Sequence, residues 1–226
     1  KGNQLIQLGG SCNSIGGTIA PILLGYLIGG QASEATVADA APALIIAMAI
    51  FAVAFVVIYF SAIPEPHMET AEEKAARLSG NAKKDPHGPM SFRHFVMGAI
   101  AIFFYVGVEV GIPNIANLYM SNLEGVGPVI AGTLVGFYWF LMMCGRLVGG
   151  AVGGKVSSKA MLSTVCTVAI VFVLAIMFIP ETVKVTVPIA NVEVPLSMMF
   201  MFLCGLCTSV MWGAIFNLAA EGLGKY

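Results

Sequence analysis

The sequence has little charge, and its charged residues are confined to a few short segments. Charged residues make up 10% of the 226 residues, hydrophobic residues make up 58%, and the mean hydropathy is +0.89. Soluble domains carry roughly 25% charged residues, so this composition excludes an ordinary soluble globular protein. The net charge of −1 also argues against a nucleic acid as a partner, because such a partner needs an excess of basic side chains.

The sequence also lacks the patterns of metal, disulfide and catalytic sites. The five cysteines all fall in apolar runs, and the three histidines share one loop without ligand spacing, so we expect no metal and no cofactor. Cys204 and Cys207 form a C-x-x-C sequence without a strand and turn beside it, which favours packing over redox chemistry. No nucleophile and acid–base groups cluster at one membrane face, so an enzyme is not expected.

What the sequence does contain is a series of six long apolar runs. Each is near the length of about 20 residues that crosses a bilayer as a helix. The runs are continuous rather than alternating, which predicts helices and not a barrel. The first is rich in glycine and polar side chains, which suits a helix inside a bundle. The sequence therefore predicts an all-α membrane protein whose six transmembrane helices cover residues 8–30, 41–63, 95–120, 127–151, 160–180 and 196–220.

The basic residues predict how these helices are oriented. If the spans alternate in direction, ten of the eleven Lys and Arg residues fall on one side of the membrane, and only Lys184 falls on the other. The positive-inside rule then places both ends of the chain and the 64–94 loop in the cytoplasm. The ten residues are Lys1, Lys74, Arg77, Lys83, Lys84, Arg93, Arg146, Lys155, Lys159 and Lys225.

Glu109 is the strongest functional candidate, because it lies near the middle of the third apolar run. A carboxylate at such a depth costs about 2.5–3.5 kcal/mol on insertion scales, so it normally faces a polar cavity or a partner. Tyr105 and Asn117 fall within about 40° and 80° of it on a helical wheel. Pro113 removes a backbone donor and frees a carbonyl near Glu109, and Asn114 neighbours Asn117. This pattern predicts a transport site, and the alternative is a polar lock between helices.

Other spans carry polar and aromatic candidates for the same cavity. Asn13 lies in the first run, Trp139 in the fourth, and Trp212 and Asn217 in the sixth. An aromatic ring beside a polar group suits a sugar, whose C–H face stacks while its hydroxyls form hydrogen bonds. The alternative is ordinary packing for the tryptophans and helix locks for the asparagines, and the residues alone leave both open.

Arg146 stands in a glycine-rich segment near the predicted cytoplasmic end of the fourth span. It can snorkel to the interface, pair with a helix end, or form part of a cytoplasmic gate. Gly149 and Gly153 have the G-x-x-x-G spacing that permits close helix crossing.

Several of these segments together are similar to one family. They are Asn13–Pro21, Phe103–Gly111, Gly145–Gly149, Ile215–Leu218 and Gly222–Tyr226, and the stretch Tyr-Val-Gly-Val-Glu that ends at Glu109 is the most specific. The chain resembles the sugar transporters of the major facilitator superfamily, in the branch of fucose–proton symporters and bacterial glucose/galactose transporters. One departure is Gly10, which stands where relatives often have Gln.

The resemblance implies a twelve-helix fold in which the six spans are helices five to ten. Residues 1–64 would be the last two helices of the N-terminal half, residues 65–94 a cytoplasmic linker, and residues 95–226 the first four helices of the C-terminal half. The chain has no initiator Met and no signal-peptide pattern, and we expect it to be an internal segment of a longer protein.

The resemblance also implies secondary active transport of a monosaccharide of the fucose, glucose or galactose class. Transport would cross a bacterial cytoplasmic (inner) membrane by proton symport with alternating access, in a monomer within the lipid bilayer. Glu109 would sense the proton or bond the sugar, Arg146 would belong to the gate, and the cavity would be lined by Asn13, Tyr105, Asn114, Asn117, Trp139, Trp212 and Asn217. Two alternatives remain: a transporter of another small organic solute, and a sugar sensor that does not transport.

Overall fold

A computed structural model describes residues 2–28, 36, 38–62, 75, 78–79, 88–188 and 191–223. In these residues the helices are α1 (Gly2–Ile28), α2 (Ala41–Phe60), α3 (Arg93–Ser121), α4 (Gly127–Val152), α5 (Ser158–Phe178), α6 (Leu196–Ser209) and α7 (Met211–Ala220). A 3-10 turn at Pro89–Ser91 precedes α3. Two strands, β1 (Lys184–Val187) and β2 (Val192–Pro195), lie between α5 and α6.

Each of the six predicted runs is helical over most of its described residues. Five segments of the described chain are long and apolar enough to cross a membrane: α2, α3, α4, α5 and the continuous stretch Leu196–Ala220 that contains α6 and α7. Helix α1 has 27 residues, which is long enough to cross a membrane, and it is the least apolar of the long helices, in line with its glycines and hydroxyl groups. Most of the predicted linker at 65–94 lies outside the described residues, as do Lys1, Lys74, Arg77, Lys83, Lys84 and Lys225.

The sixth run is divided into α6 and α7 at Val210. Thr208 Oγ1 donates to the Cys204 and Gly205 carbonyls, and Ser209 Oγ donates to the Leu206 carbonyl. Hydroxyl groups that bond back to the preceding turn compete with the helical pattern and often bend a helix. Both hydroxyl residues at this end of α6 are buried.

Helix α4 lies at the centre of the bundle and packs against α1, α3 and α6. Helix α5 packs against α6 and α7, and α7 also packs against α3. Helix α2 has no buried residue within the described chain. Helices α1 and α3 therefore flank α4, and a groove runs between them with α4 as its floor.

Glycines allow α4 to approach its neighbours closely. A Cβ at Gly132 would lie 2.7 Å from the carbonyl oxygen of Pro21 in α1, and a Cβ at Gly205 would lie 2.5 Å from the Tyr138 carbonyl oxygen. Small residues at such crossings let backbones meet without side chains between them. The predicted pair Gly149 and Gly153 is half right, because Gly149 faces Val210 but Gly153 ends α4.

Gly145 is the second member of the close-packing pair. It lies four residues before Gly149, and a Cβ there would overlap the side chain of Ser209 in α6. The predicted G-x-x-x-G spacing is therefore correct, but the two glycines at the close contact are Gly145 and Gly149 rather than Gly149 and Gly153.

The helical fold agrees with the prediction, and one short strand pair was not predicted. Strands β1 and β2 are antiparallel, with Val185 opposite Val194 and Val187 opposite Val192. Val187 and Val194 are buried in the same core cluster as α4 and α6. Alternating β-branched residues favour a pleated conformation, and one face of the hairpin covers the end of the helical core.

Replacement of Gly132 by Ala tests the α1–α4 contact. The added methyl group meets a backbone carbonyl at 2.7 Å that cannot rotate away, so we expect Gly132→Ala to lower the melting temperature of the purified full-length protein. Gly107→Ala is the matched control, because its Cβ meets nothing within 4 Å and Ala favours a helix over Gly by about 1 kcal/mol. Equal melting temperatures for the two variants would contradict this account of the contact.

Candidate functional site

Glu109 and Arg146 form an ion pair between α3 and α4. Arg146 Nη2 donates to Glu109 Oε1 at 2.9 Å. The Glu109 side chain is 13% exposed, and the Arg146 side chain is 7% exposed. Charges at this depth are stable only when they are paired and hydrogen-bonded. Each of the two residues therefore supplies the partner that the other requires.

The guanidinium of Arg146 also reaches two further helices. Its Nη1 donates to the Gly10 carbonyl at 2.5 Å and to Ser14 Oγ at 2.9 Å, both in α1. Its Nε donates to the carbonyl of Ser209, the last residue of α6, at 3.3 Å. We call this set of contacts the Arg146 bridge. It joins α1, α3 and α6 to α4 through one side chain.

The local sequence of α1 makes room for the bridge. A Cβ at Gly10 would lie 3.1 Å from Arg146 Cδ, which is tighter than usual packing, so a glycine lets the guanidinium rest on the helix backbone. Ser14 Oγ also donates to the Gly10 carbonyl at 3.2 Å, and Ser14 is buried. The glycine and hydroxyl content that weakened the first run as a span is what accommodates a buried cation.

Pro113 explains a second contact of Glu109. It lies four residues after Glu109 in α3, and its missing N–H leaves the Glu109 carbonyl without its helical donor. Tyr138 in α4 supplies that donor at 3.2 Å. The Tyr138 hydroxyl also lies 3.2 Å from Thr208 Oγ1. The carbonyl that the sequence predicted to be free is thus satisfied by the neighbouring helix.

One cavity, the Glu109 cavity, lies on the side of the bridge toward the N-termini of α1 and α3. It has a volume of about 430 Å³. Its lining includes Gln7, Asn13, Glu109, Arg146 and Trp212. It combines a carboxylate, a guanidinium, two amides and an indole ring within one concave surface.

A second cavity, the Trp139 cavity, lies further along the same groove. It has a volume of about 470 Å³. Its lining includes Asn114, Asn117, Ser121 and Trp139, together with Gly17 of α1. None of its lining residues is ionisable. The predicted single cavity is therefore two cavities of different electrostatic character.

Comparison with known proteins identifies the fold to which these features belong. A profile described as the Major Facilitator Superfamily matches residues 6–226. The chain belongs to this superfamily. The resemblance noted from the sequence is confirmed, and the chain is part of a multi-pass membrane protein.

The superfamily relatives that match include sugar transporters. The glucose/galactose transporter of Brucella abortus biovar 1 (strain 9-941) is 32% identical over 219 residues, which are 95% of this chain and 48% of that protein. The putative glucose/galactose transporter of Helicobacter pylori (strain J99) is 25% identical over 222 residues, which are 94% of this chain and 49% of that protein. The chain thus spans about half the length of these relatives. No solved structure matches it significantly.

Within this facilitator fold, two predicted cavity residues lie elsewhere. Tyr105 is buried, lines neither cavity, and donates its hydroxyl to the Thr208 carbonyl at 3.2 Å. Asn217 also lines neither cavity, and its Nδ2 donates to Ser158 Oγ at 3.4 Å. Tyr105 lies on the same face of α3 as Glu109, as the helical wheel predicted. At the level of Tyr105, however, α6 packs against that face and separates it from the cavities. The Asn217 contact joins α7 to α5 and is of the kind that the helix-lock alternative describes.

The structure places Arg146 inside the bundle, where its side chain is buried. It contacts the C-terminus of α6 through the Ser209 carbonyl. Its partner Glu109 was not predicted, nor were the contributions of Gln7 and Ser14. The sequence places an acidic residue in the third apolar run and a basic residue in the fourth. Opposite charges in neighbouring membrane spans indicate that the two residues pair with each other.

A double-mutant series tests whether the pair is charged and coupled. We expect Arg146→Gln to lower the melting temperature of the full-length facilitator strongly, because it leaves the Glu109 carboxylate buried without a partner, a change that costs about 3–5 kcal/mol in soluble proteins. Adding Glu109→Gln to that variant should restore part of the loss. A double variant as unstable as the sum of the two single variants would show that the pair is not coupled.

Proposed function

We propose that the full-length protein containing this chain carries a monosaccharide of the fucose, glucose or galactose class across the cytoplasmic membrane by proton symport. The observation that carries the proposal is the Arg146 bridge, which lies across the groove beside a cavity suited to a sugar. The named glucose/galactose transporters among the relatives support the substrate class.

The Glu109 cavity offers the groups that a monosaccharide requires. Trp212 presents an aromatic ring that is partly exposed, and an apolar ring face suits the C–H surface of a pyranose. Asn13 offers an amide that both donates and accepts, and no hydrogen-bond partner for it is found among the described residues. The volume of about 430 Å³ falls within the roughly 300–1,000 Å³ of typical small-molecule sites.

Glu109 is the proposed proton acceptor. The ion pair with Arg146 exists only while the carboxyl group is ionised, so a proton on Glu109 removes the charge attraction that ties α3 to the bridge. The bonds from Arg146 to Gly10, Ser14 and Ser209 do not depend on that charge. Protonation would therefore loosen one specific connection of the bundle and leave the others in place.

The position of the bridge suits alternating access. In the proposed twelve-helix arrangement, α1 belongs to the N-terminal half (1–64) and α3, α4 and α6 belong to the C-terminal half (95–226). Arg146 then joins the two halves through Gly10 and Ser14, which is the role of a gate. The halves of such transporters rock about a central site. We further propose a monomer with both ends of the chain and the 65–94 linker on the cytoplasmic side.

The test uses the full-length protein in proteoliposomes. External pH is recorded after addition of fucose, galactose or glucose, for the wild type, Glu109→Gln and Glu124→Gln. Glu124 is exposed in the turn between α3 and α4, so its variant makes the same chemical change away from the cavities. We expect sugar-dependent alkalinisation in the wild type and in Glu124→Gln, and its loss in Glu109→Gln.

The other outcomes separate the alternatives. Sugar uptake without proton movement, unchanged in Glu109→Gln, would reduce Glu109 to the helix lock and make the protein a facilitator. Sugar binding without uptake would indicate a sensor. No response to any sugar would mean that the solute is of another class.

A further inference from the structure

We propose that the Trp139 cavity is a second monosaccharide site, separate from the one beside Glu109. This inference rests on the proposed function, because it takes the same class of solute. It assigns to Asn114, Asn117 and Trp139 a binding role of their own rather than a share in a single central site.

The chemistry of the cavity indicates a neutral ligand rich in hydroxyl groups. Its polar lining consists of two amides, a hydroxyl and an indole, and its lining holds no ionisable side chain. An organic ion bound there would meet no counter-charge among the described lining residues, and a charge removed from water without a partner is costly. A sugar requires no counter-charge, and its hydroxyls can both donate to and accept from an amide.

The two asparagines are free to bind such a ligand. Both side chains are exposed, and no hydrogen-bond partner for either amide is found among the described residues. They are three residues apart in α3, so they point to the same side of the helix. An unpaired amide within a membrane span is costly unless it meets water or a polar ligand, and this cavity provides the space for one.

Trp139 is held in place as the aromatic wall of the site. Its ring meets Gly17 of α1 so closely that a Cβ there would lie 2.8 Å from it, and it packs edge-on against Tyr138 with ring centroids 5.5 Å apart. A rigid aromatic ring costs little conformational entropy when a ligand stacks on it. Both cavities therefore contain one tryptophan and at least one unpaired asparagine.

The Arg146 bridge separates the two sites. On α1 the Glu109 cavity uses residues 6–13 and the Trp139 cavity uses residues 17–24. On α3 Asn117 lies eight residues beyond Glu109, which is about 12 Å along the helix axis. A sugar in one cavity therefore has to pass the bridge to enter the other, and the two sites can be occupied at the same time.

The stoichiometry of binding tests this inference. Radiolabelled D-galactose and D-glucose are equilibrated by dialysis with the purified full-length protein, and we expect two bound sugars per chain. Asn117→Leu should remove one of them, Trp212→Leu should remove the other, and the combined variant should bind none. Asn217→Leu is the matched control at an amide that lines neither cavity, and it should retain both. Asn114→Leu is a second variant of the Trp139 cavity in case Asn117→Leu does not fold.

The possible results distinguish this inference from the proposed function. One bound sugar that is lost in Trp212→Leu and retained in Asn114→Leu and Asn117→Leu would overturn the second site and leave the proposed function standing. One bound sugar that is lost only in the Asn114 and Asn117 variants would place the sole sugar site in the Trp139 cavity and overturn the two-site proposal. No bound sugar in the wild type would overturn both proposals.

Discussion

The fold depends on one ion pair in an environment that tolerates neither of its charges alone. Glu109 and Arg146 meet at 2.9 Å in the interior of a bundle that exposes many large apolar side chains. Because the guanidinium also bonds to α1 and α6, four helices are positioned by the requirement to keep that charge satisfied. Gly10 provides space for Arg146, and Gly145 brings α6 close enough for the Ser209 carbonyl to reach it.

The same requirement produces the two cavities. A side chain that crosses from α4 to both α1 and α3 occupies the groove at one depth, and the helices enclose space on either side of that depth. One cavity includes the charged groups, and the polar groups of the other are all neutral. An interaction that stabilises the bundle thus also divides the groove, and one of its contacts requires an ionised carboxyl group.

The sequence predicted the features that depend on local properties of the chain. The apolar runs gave the helices, and Pro113 gave the free carbonyl of Glu109. The sequence did not predict the partner of Glu109, because a helical wheel gives the direction of a side chain but not the helix that lies next to it. Counting Arg146 among the cytoplasmic charges did not reveal its depth, because the positive-inside rule counts charges by loop and not by depth. The hairpin was missed because its alternating valines are short and lie between long apolar runs.

The identity of the bridging residue follows from its geometry. The three nitrogens of one guanidinium point in different directions, and here Nη1 serves α1, Nη2 serves α3 and Nε serves α6. A lysine ammonium donates its three bonds from a single nitrogen, so it lacks the planar spread of donors with which the guanidinium reaches acceptors on three helices. The bridge also requires contact with the α1 backbone, and a Cβ at Gly10 would lie 3.1 Å from the Arg146 stem. A longer side chain at this position, such as Gln, would compete with the guanidinium for the same space. In this chain the polar contact at Gly10 is therefore made by the backbone carbonyl to Arg146 rather than by a side chain to the cavity.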